Sequence, residues 1–270
     1  MPRIKSSCGE QTLSILRNSL NTLTELQHQA TLINKLDDIA IKTNSLISLI
    51  YGYTLTEKEG IDTDDEILNW TIADVADELC SAIWNLSSGF YKTSASSLRS
   101  ALEMGAVSLY FQICENEKAT SGYNQPFADW DGGDSSTPNW GTIKPKLQKR
   151  KNVKGFKIKH GYCPIEKAYD YFKFLCSFTH SRAYSPEDGK GTNSMNMKSH
   201  IGFYNEEEFL RILEAINTTI SMIASTWAII YPHIITEWTN DNFDSKFCKI
   251  EDIFSTTHSQ TLLTFTKEIL

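Results

Sequence analysis

An all-α fold, an up-down helical bundle with long N-terminal amphipathic helices and a loop-rich insertion, is what this sequence predicts. Apolar residues recur at three- and four-residue steps along most of the chain, which is the helical period. Strict two-residue alternation, the mark of a half-buried strand, does not occur between residues 66 and 116. Only 14 Gly and 7 Pro punctuate 270 residues, and several of them gather between 117 and 163.

The first helical pattern runs through Leu13, Leu16, Leu20, Leu23, Leu26 or Gln27, Ala30, Ile33 and Leu36, with nearly heptad spacing. Ile47, Ile50 and Tyr51 carry helix on toward Tyr53. These helices either pack on the rest of the chain or form a coiled-coil-like dimer seam. Thr54 to Asp65 is polar, and Asp64 is an N-cap candidate. A helix from about Glu66 carries Ile67, Trp70, Ile72, Val75, Leu79, Ile83, Trp84 and Leu86, and Gly89 marks its end. The next, from about Tyr91 to Asn116, carries Leu98, Leu102, Met104, Val107, Leu109, Tyr110 and Phe111.

Residues 117–163 read as a loop-rich insertion, with one short helix between Asn139 and Lys151. Pro164 opens the following helix, lined by Ile165, Tyr169, Phe172, Leu175 and Cys176 and ending near Thr179. A polar loop follows from His180 to Phe203. Asn205, with Glu208 three residues on, resembles a capping box and starts a helix through Leu210, Leu213, Ile216, Ile220, Ile223 and Trp227. One more helix is expected around Ser259 to Lys267. The organisation is therefore N-terminal helices over 1–60, a bundle core over 61–235 holding the 117–163 insertion, and a C-terminal extension over 236–270.

The composition excludes several classes. The chain has 26 Lys+Arg against 33 Asp+Glu, a net charge of −7, with 40% apolar residues. That is neither a disordered chain nor a strongly basic nucleic-acid coat. No apolar stretch follows the basic N-terminal residues, so no secretory signal is visible. Six widely spaced cysteines, two of them inside apolar helical patterns, suit a reducing compartment, so a cytoplasmic location is expected. Ile216 to Thr236 lacks charge, but its Asn, Thr, Ser and His residues make it too polar for a span, so no membrane is expected.

Two polar patches interrupt otherwise apolar helices. The first is Tyr91-x5-Ser97-x-Arg99-x3-Glu103, and the second is Tyr171-x5-Ser177-x2-His180-x-Arg182. Arg99 and Glu103 share a helix face. They are either an intrahelical ion pair or a guanidinium held by Glu103 and offered to phosphate. His180 falls at a helix C-terminus, where it either caps carbonyls or serves as an acid–base group near neutral pH. The run from Gln148 to His160 is strongly basic, and its Lys151 and Lys154 are candidates for holding an RNA backbone.

No metal and no cofactor are expected. His160-x2-Cys163-x12-Cys176-x3-His180 imitates zinc-ligand spacing, but a continuous helix from Pro164 would place the two cysteines about 18 Å apart. Asp129, Asp131 and Asp134 read as an Asx-rich turn. Phosphate-loop, nucleophile-elbow, His-Glu-x2-His and dinucleotide signatures do not occur.

Ser-Leu-Arg-Ser-Ala-Leu-Glu (97–103), Asp-Trp-Asp-Gly-Gly-Asp (129–134) with Pro-Asn-Trp (138–140), and Tyr-Phe-Lys-Phe-Leu-Cys-Ser-Phe-Thr-His (171–180) resemble pieces of HEPN-like helical domains. These occur in bacterial toxin, abortive-infection and phage-defence proteins, and the resemblance covers about residues 66–232. It implies a helical bundle, frequent homodimerisation, and often RNA cleavage without metal, so RNA or a nucleotide is the expected ligand. The Arg-x4–6-His motif of the active nucleases does not occur here. A ribonuclease site would have to be assembled across helices. His180 would then move protons, Arg99 would stabilise phosphate charge, and Glu103 would orient Arg99. Arg182, Tyr91, Tyr171, Ser177, Lys151 and Lys154 would bind substrate. The alternative is a non-catalytic dimeric protein that binds a partner protein, in which the Arg/Glu/His cluster is structural.

Overall fold

Leu86, Gly89 and Phe90 fold the chain back on itself. α2 (Glu66–Ser87) ends in a Schellman turn in which Phe90 N donates to Asn85 O at 2.8 Å and Gly89 N to Leu86 O at 3.1 Å. Gly89 sits at φ 76°, a left-handed conformation that a Cβ would oppose. α3 (Tyr91–Ser121) then runs antiparallel to α2. Small residues let the pair close up. Ser94 Oγ donates to Ala82 O at 2.7 Å, and the Ser81 and Ser97 hydroxyls lie 3.1 Å apart.

The computed structural model describes residues 21, 30–56, 66–121, 126–179, 204–233, 235 and 250–270. Besides α2 and α3 these comprise α1 (Ala30–Thr56), α4 (Pro126–Asp131), α5 (Trp140–Gln148), α6 (Lys151–His160), α7 (Pro164–Thr179), α8 (Glu206–Ile230), α9 (Ile250–Ile253) and α10 (Thr257–Ile269). Among the described residues there is no strand, so the all-α fold is observed.

α8 is the central helix and packs against α1, α2, α3, α7 and α10. Its start is held by Asn205, whose Oδ1 accepts from Glu208 N at 3.0 Å. Every residue from Thr219 to Ile230 is buried. This helix has the length and composition to cross a membrane, but most of its apolar surface is used against its neighbours in the fold. α8 runs parallel to α3. Tyr91 meets Asn205 at one end, and Asn116 meets Tyr231 at the other. Between them Trp227 Nε1 donates to Gly105 O at 3.2 Å. A Cβ on Gly105 would come within 3.3 Å of Ile223 Cγ2, so the close approach explains a glycine inside a long helix. α7 returns in the opposite sense, completing the up-down arrangement.

The N-terminal stripe is spent internally where it is described. Leu32, Ile39 and Leu46, seven apart, are buried, and α1 packs on α2, α8 and α9. The expected seam over residues 13–27 lies outside the described residues. Trp84, expected on the apolar face of α2, is 68% exposed, because Val75, Leu79, Ala82 and Leu86 already form that face.

Residues 117–163 hold the one short helix expected there, α5, but depart from the expected loops around it. α3 continues to Ser121, and α4, α5 and α6 follow. Many of the Gly and Pro here stand at the ends of short helices, while Pro145 and Gly155 lie inside α5 and α6. Pro126 begins α4, Gly133 turns at φ 79°, Asn139 caps α5 and Gly161 ends α6 at φ 76°. α4 is held by Phe127 and Trp130 packing on Phe111. Of the three aspartates expected in an Asx-rich turn, Asp129 and Asp131 lie within α4 and only Asp134 lies in the turn after it, where Asp134 N and Ser135 N both donate to Asp129 O.

α10 begins with a Thr256–Ser259 capping box and docks through Phe265 on Phe156 and His160. Beside it His258 Nδ1 lies 3.0 Å from the Tyr162 hydroxyl. Burial, with a smaller contribution from Lys167, pulls His258 down to a pKa of about 4. Ser221 of α8 donates to Ile253 O at 2.6 Å and fixes the segment before α10.

Candidate functional site

Arg99 and Glu103 are one turn apart on α3, and their side chains meet at 3.6 Å. They are 31% and 25% exposed, so the pair is half-buried. α7 supplies the other wall. Arg99 Cζ lies 5.3 Å from the Phe172 ring centroid, and the Cys176 thiol is close enough to feel the guanidinium charge. Burial pushes both Cys176 and Glu103 above their ordinary values, and Arg99 opposes the shift in each without cancelling it. Arg99 Nε is buried and finds no acceptor among the described residues.

Glu103 also lines a cleft of about 610 Å³ between α2, α3 and the start of α5. Asp74, Asp77 and Glu78 face it from α2. Asp74 is raised by burial and then by Asp77. Four carboxylates around one opening make its field negative, which repels a phosphodiester. No group of three or more His, Cys, Asp or Glu side chains suited to holding a metal occurs among the described residues.

The other end of α3 has the opposite charge. Lys146 of α5, Lys149 and Arg150 of the link, and Lys151 and Asn152 of α6 surround a cleft of about 420 Å³ with Glu117 and Ile230. Lys146 Nζ is 2.5 Å and Arg150 Nη1 3.8 Å from the Glu117 carboxylate. At a rise of 1.5 Å per residue, Glu117 lies about 27 Å along α3 from Arg99. The basic run and the Arg99–Glu103 pair are therefore separate places.

The remaining candidates divide cleanly. The Tyr91 hydroxyl accepts from Asn205 N at 2.8 Å and donates to Asn205 O at 3.3 Å, so Tyr91, expected to bind substrate, braces the start of α8. The Tyr171 hydroxyl donates to Ala215 O at 3.0 Å, and burial raises it far above the ordinary phenol range. It too is packed against α8 rather than presented to a ligand. Ser177 is exposed and its Oγ donates to Phe174 O at 2.6 Å, a local helix bond. Lys151 and Lys154 are exposed on α6, and Lys151 lines the basic cleft. His180 and Arg182 lie outside the described residues, and with them the expected meeting of Arg99 and His180. Cys163 precedes α7 and Cys176 lies in its penultimate turn, so the unbroken helix separates the two thiols of the zinc-like spacing.

Sequence reasoning missed the acidic cleft and the role of Lys146, Lys149 and Arg150. The signal was present. Asp74, Asp77 and Glu78 stand at i, i+3 and i+4 and share one face of α2, while Lys146, Lys149 and Arg150 crowd the short stretch where α5 ends and α6 begins. Phe172 and Cys176 carried no such signal as partners of Arg99, because only the packing of α7 on α3 brings them there. No family model matches this chain, and neither a curated protein nor a solved structure matches it.

Proposed function

We propose that this chain is a HEPN-like helical protein of the bacterial defence or toxin type, and that it binds RNA through the basic face of α5 and α6. The observation that carries this is the concentration of positive charge. Eight of the 26 Lys and Arg residues lie between 144 and 159, with no Asp or Glu among them. The chain as a whole is acidic, so this surface is the place where a polyanion gains most from counterion release. Lys149, Lys151 and Lys154 are exposed there. In this reading Lys151 and Lys154 hold the phosphate backbone, and the Arg99–Glu103 pair holds α3 against Phe172 and Cys176.

A salt titration tests the binding. Affinity for a 3′-labelled single-stranded RNA falls with rising salt, and Lys151→Ala with Lys154→Ala lowers the slope of log K against log salt by about 0.7 per lost contact. Binding that is indifferent to salt, or unchanged in the double variant, contradicts it.

The second reading, a metal-independent ribonuclease using His180 with Arg99 and Glu103, is favoured by the half-open position of Arg99. It is disfavoured by the carboxylates beside Glu103. It requires RNA cleavage that Arg99→Ala and His180→Ala each abolish. Equal cleavage by wild type and both variants excludes it.

A further inference from the structure

Positive charge converges on the cleft at the α5–α6 junction from several elements at once. Lys146 comes from α5, Lys149 and Arg150 from the link, and Lys151 from the first turn of α6. One carboxylate, Glu117, answers Lys146 and Arg150. No carboxylate pairs with Lys149 or Lys151 among the described residues. Glu117 offsets one of the four positive charges around the opening, and the surplus that remains favours entry of a further anion. The cleft is of small-molecule size, about 420 Å³, with Ile230 as an apolar wall and Asn152 at its rim.

The start of α6 adds to this. Arg150 occupies the N-cap position with extended backbone, and its side chain makes no capping bond. The first amides of α6 thus carry no side-chain cap and bring the positive end of the helix to the same cleft.

We infer that this cleft seats a terminal phosphate monoester, either the 5′ end of an RNA or the phosphate of a free nucleotide. For the RNA source, this rests on the binding function proposed above. A bridging phosphodiester carries one charge and needs only the open face of α6. A monoester carries about −1.5 to −2 near neutral pH and matches the surplus of cations in the cleft. The charge-assisted bonds favour the dianion, so the preference weakens as pH falls below about 6, where the phosphate takes up its second proton.

The test uses the full chain and two 3′-labelled single-stranded RNAs of one sequence, with a 5′-phosphate or a 5′-hydroxyl. Adenosine monophosphate and adenosine serve as competitors. The 5′-phosphate tightens binding about tenfold, the scale of one or two charge-assisted hydrogen bonds. Lys149→Ala with Lys151→Ala, both exposed positions, removes that preference. Glu117→Gln, also at an exposed site, increases it by lifting the one opposing charge. If both RNAs bind equally and adenosine monophosphate competes no better than adenosine, the seat does not exist, while RNA binding by the open face survives. If adenosine monophosphate binds and neither RNA does, the seat stands and the RNA function falls. If nothing binds, both fall.

Discussion

The two ends of α3 are built from the same kind of scaffold and carry opposite fields. Near Arg99, helix–helix packing leaves a cleft ringed by Asp74, Asp77, Glu78 and Glu103. Near Glu117, a junction of short helices leaves a cleft ringed by Lys146, Lys149, Arg150 and Lys151. In the first, the lone guanidinium is taken up by Glu103, Phe172 and Cys176. In the second, the lone carboxylate is taken up by Lys146 and Arg150, and two cations are left over. A polar residue in an apolar helix is thus a weak guide to a site. The surplus charge around an opening says more about what enters it.

Both clefts depend on the contact between α3 and α8, so the largest expected effect is on that frame. Trp227→Ala removes a fully buried ring and the donor to Gly105 O, and costs about 3–5 kcal/mol in urea unfolding. A loss under about 1 kcal/mol would mean that α3 is positioned by something else.

Acidification acts with opposite signs on His258 and on the acidic cleft. His258, packed beside Tyr162 just after α6, has a folded pKa of about 4 against an ordinary 6.5. The unfolded chain therefore binds the extra proton first. This contribution is fully present above pH 6.5 and is lost as pH falls toward 4, by about 2 kcal/mol after allowing for partial exposure. Asp74 and Glu103 are raised in the fold, so their protonation on acidification favours the folded state. His258→Phe flattens the loss between pH 6.5 and 4 in a pH series of thermal unfolding. An unchanged profile contradicts the burial assigned to the imidazole.

Smaller still is the Arg99–Glu103 pair. Arg99→Ala strips a half-buried carboxylate of its cation and costs about 1 kcal/mol, reduced from a buried-pair value by solvent screening. Arg99→Met with Glu103→Leu recovers most of it. Double-variant stability no better than the single would show that Phe172 and Cys176, not Glu103, are what Arg99 serves.

The long helices were legible because burial imposes a period. Val75, Leu79, Leu86, Leu213, Ile216 and Ile223 announce their faces, and Gly89, Pro164 and Asn205 announce their ends. Of the short helices, α5 was legible between Asn139 and Lys151, while α4 and α6 were not. Pro126 and Gly161 read as loop until one sees them at helix ends, Gly155 lies within α6, and neither helix is long enough for periodicity to assert itself. Of the candidate site, Arg99 with Glu103 was legible from spacing alone. The fate of Tyr91 and Tyr171 was not, since their partners Asn205 and Ala215 lie 114 and 44 residues away.

RNA affinity compared across charge variants at the two ends tests the opposition of fields most directly. The opposed fields predict that Lys149→Ala with Lys151→Ala weakens binding of 5′-phosphorylated RNA about tenfold or more, while Asp77→Asn with Glu78→Gln leaves it unchanged or slightly stronger. Undiminished binding in the lysine variant, together with loss of binding in Arg99→Ala, would contradict it and return the RNA to the other end of α3.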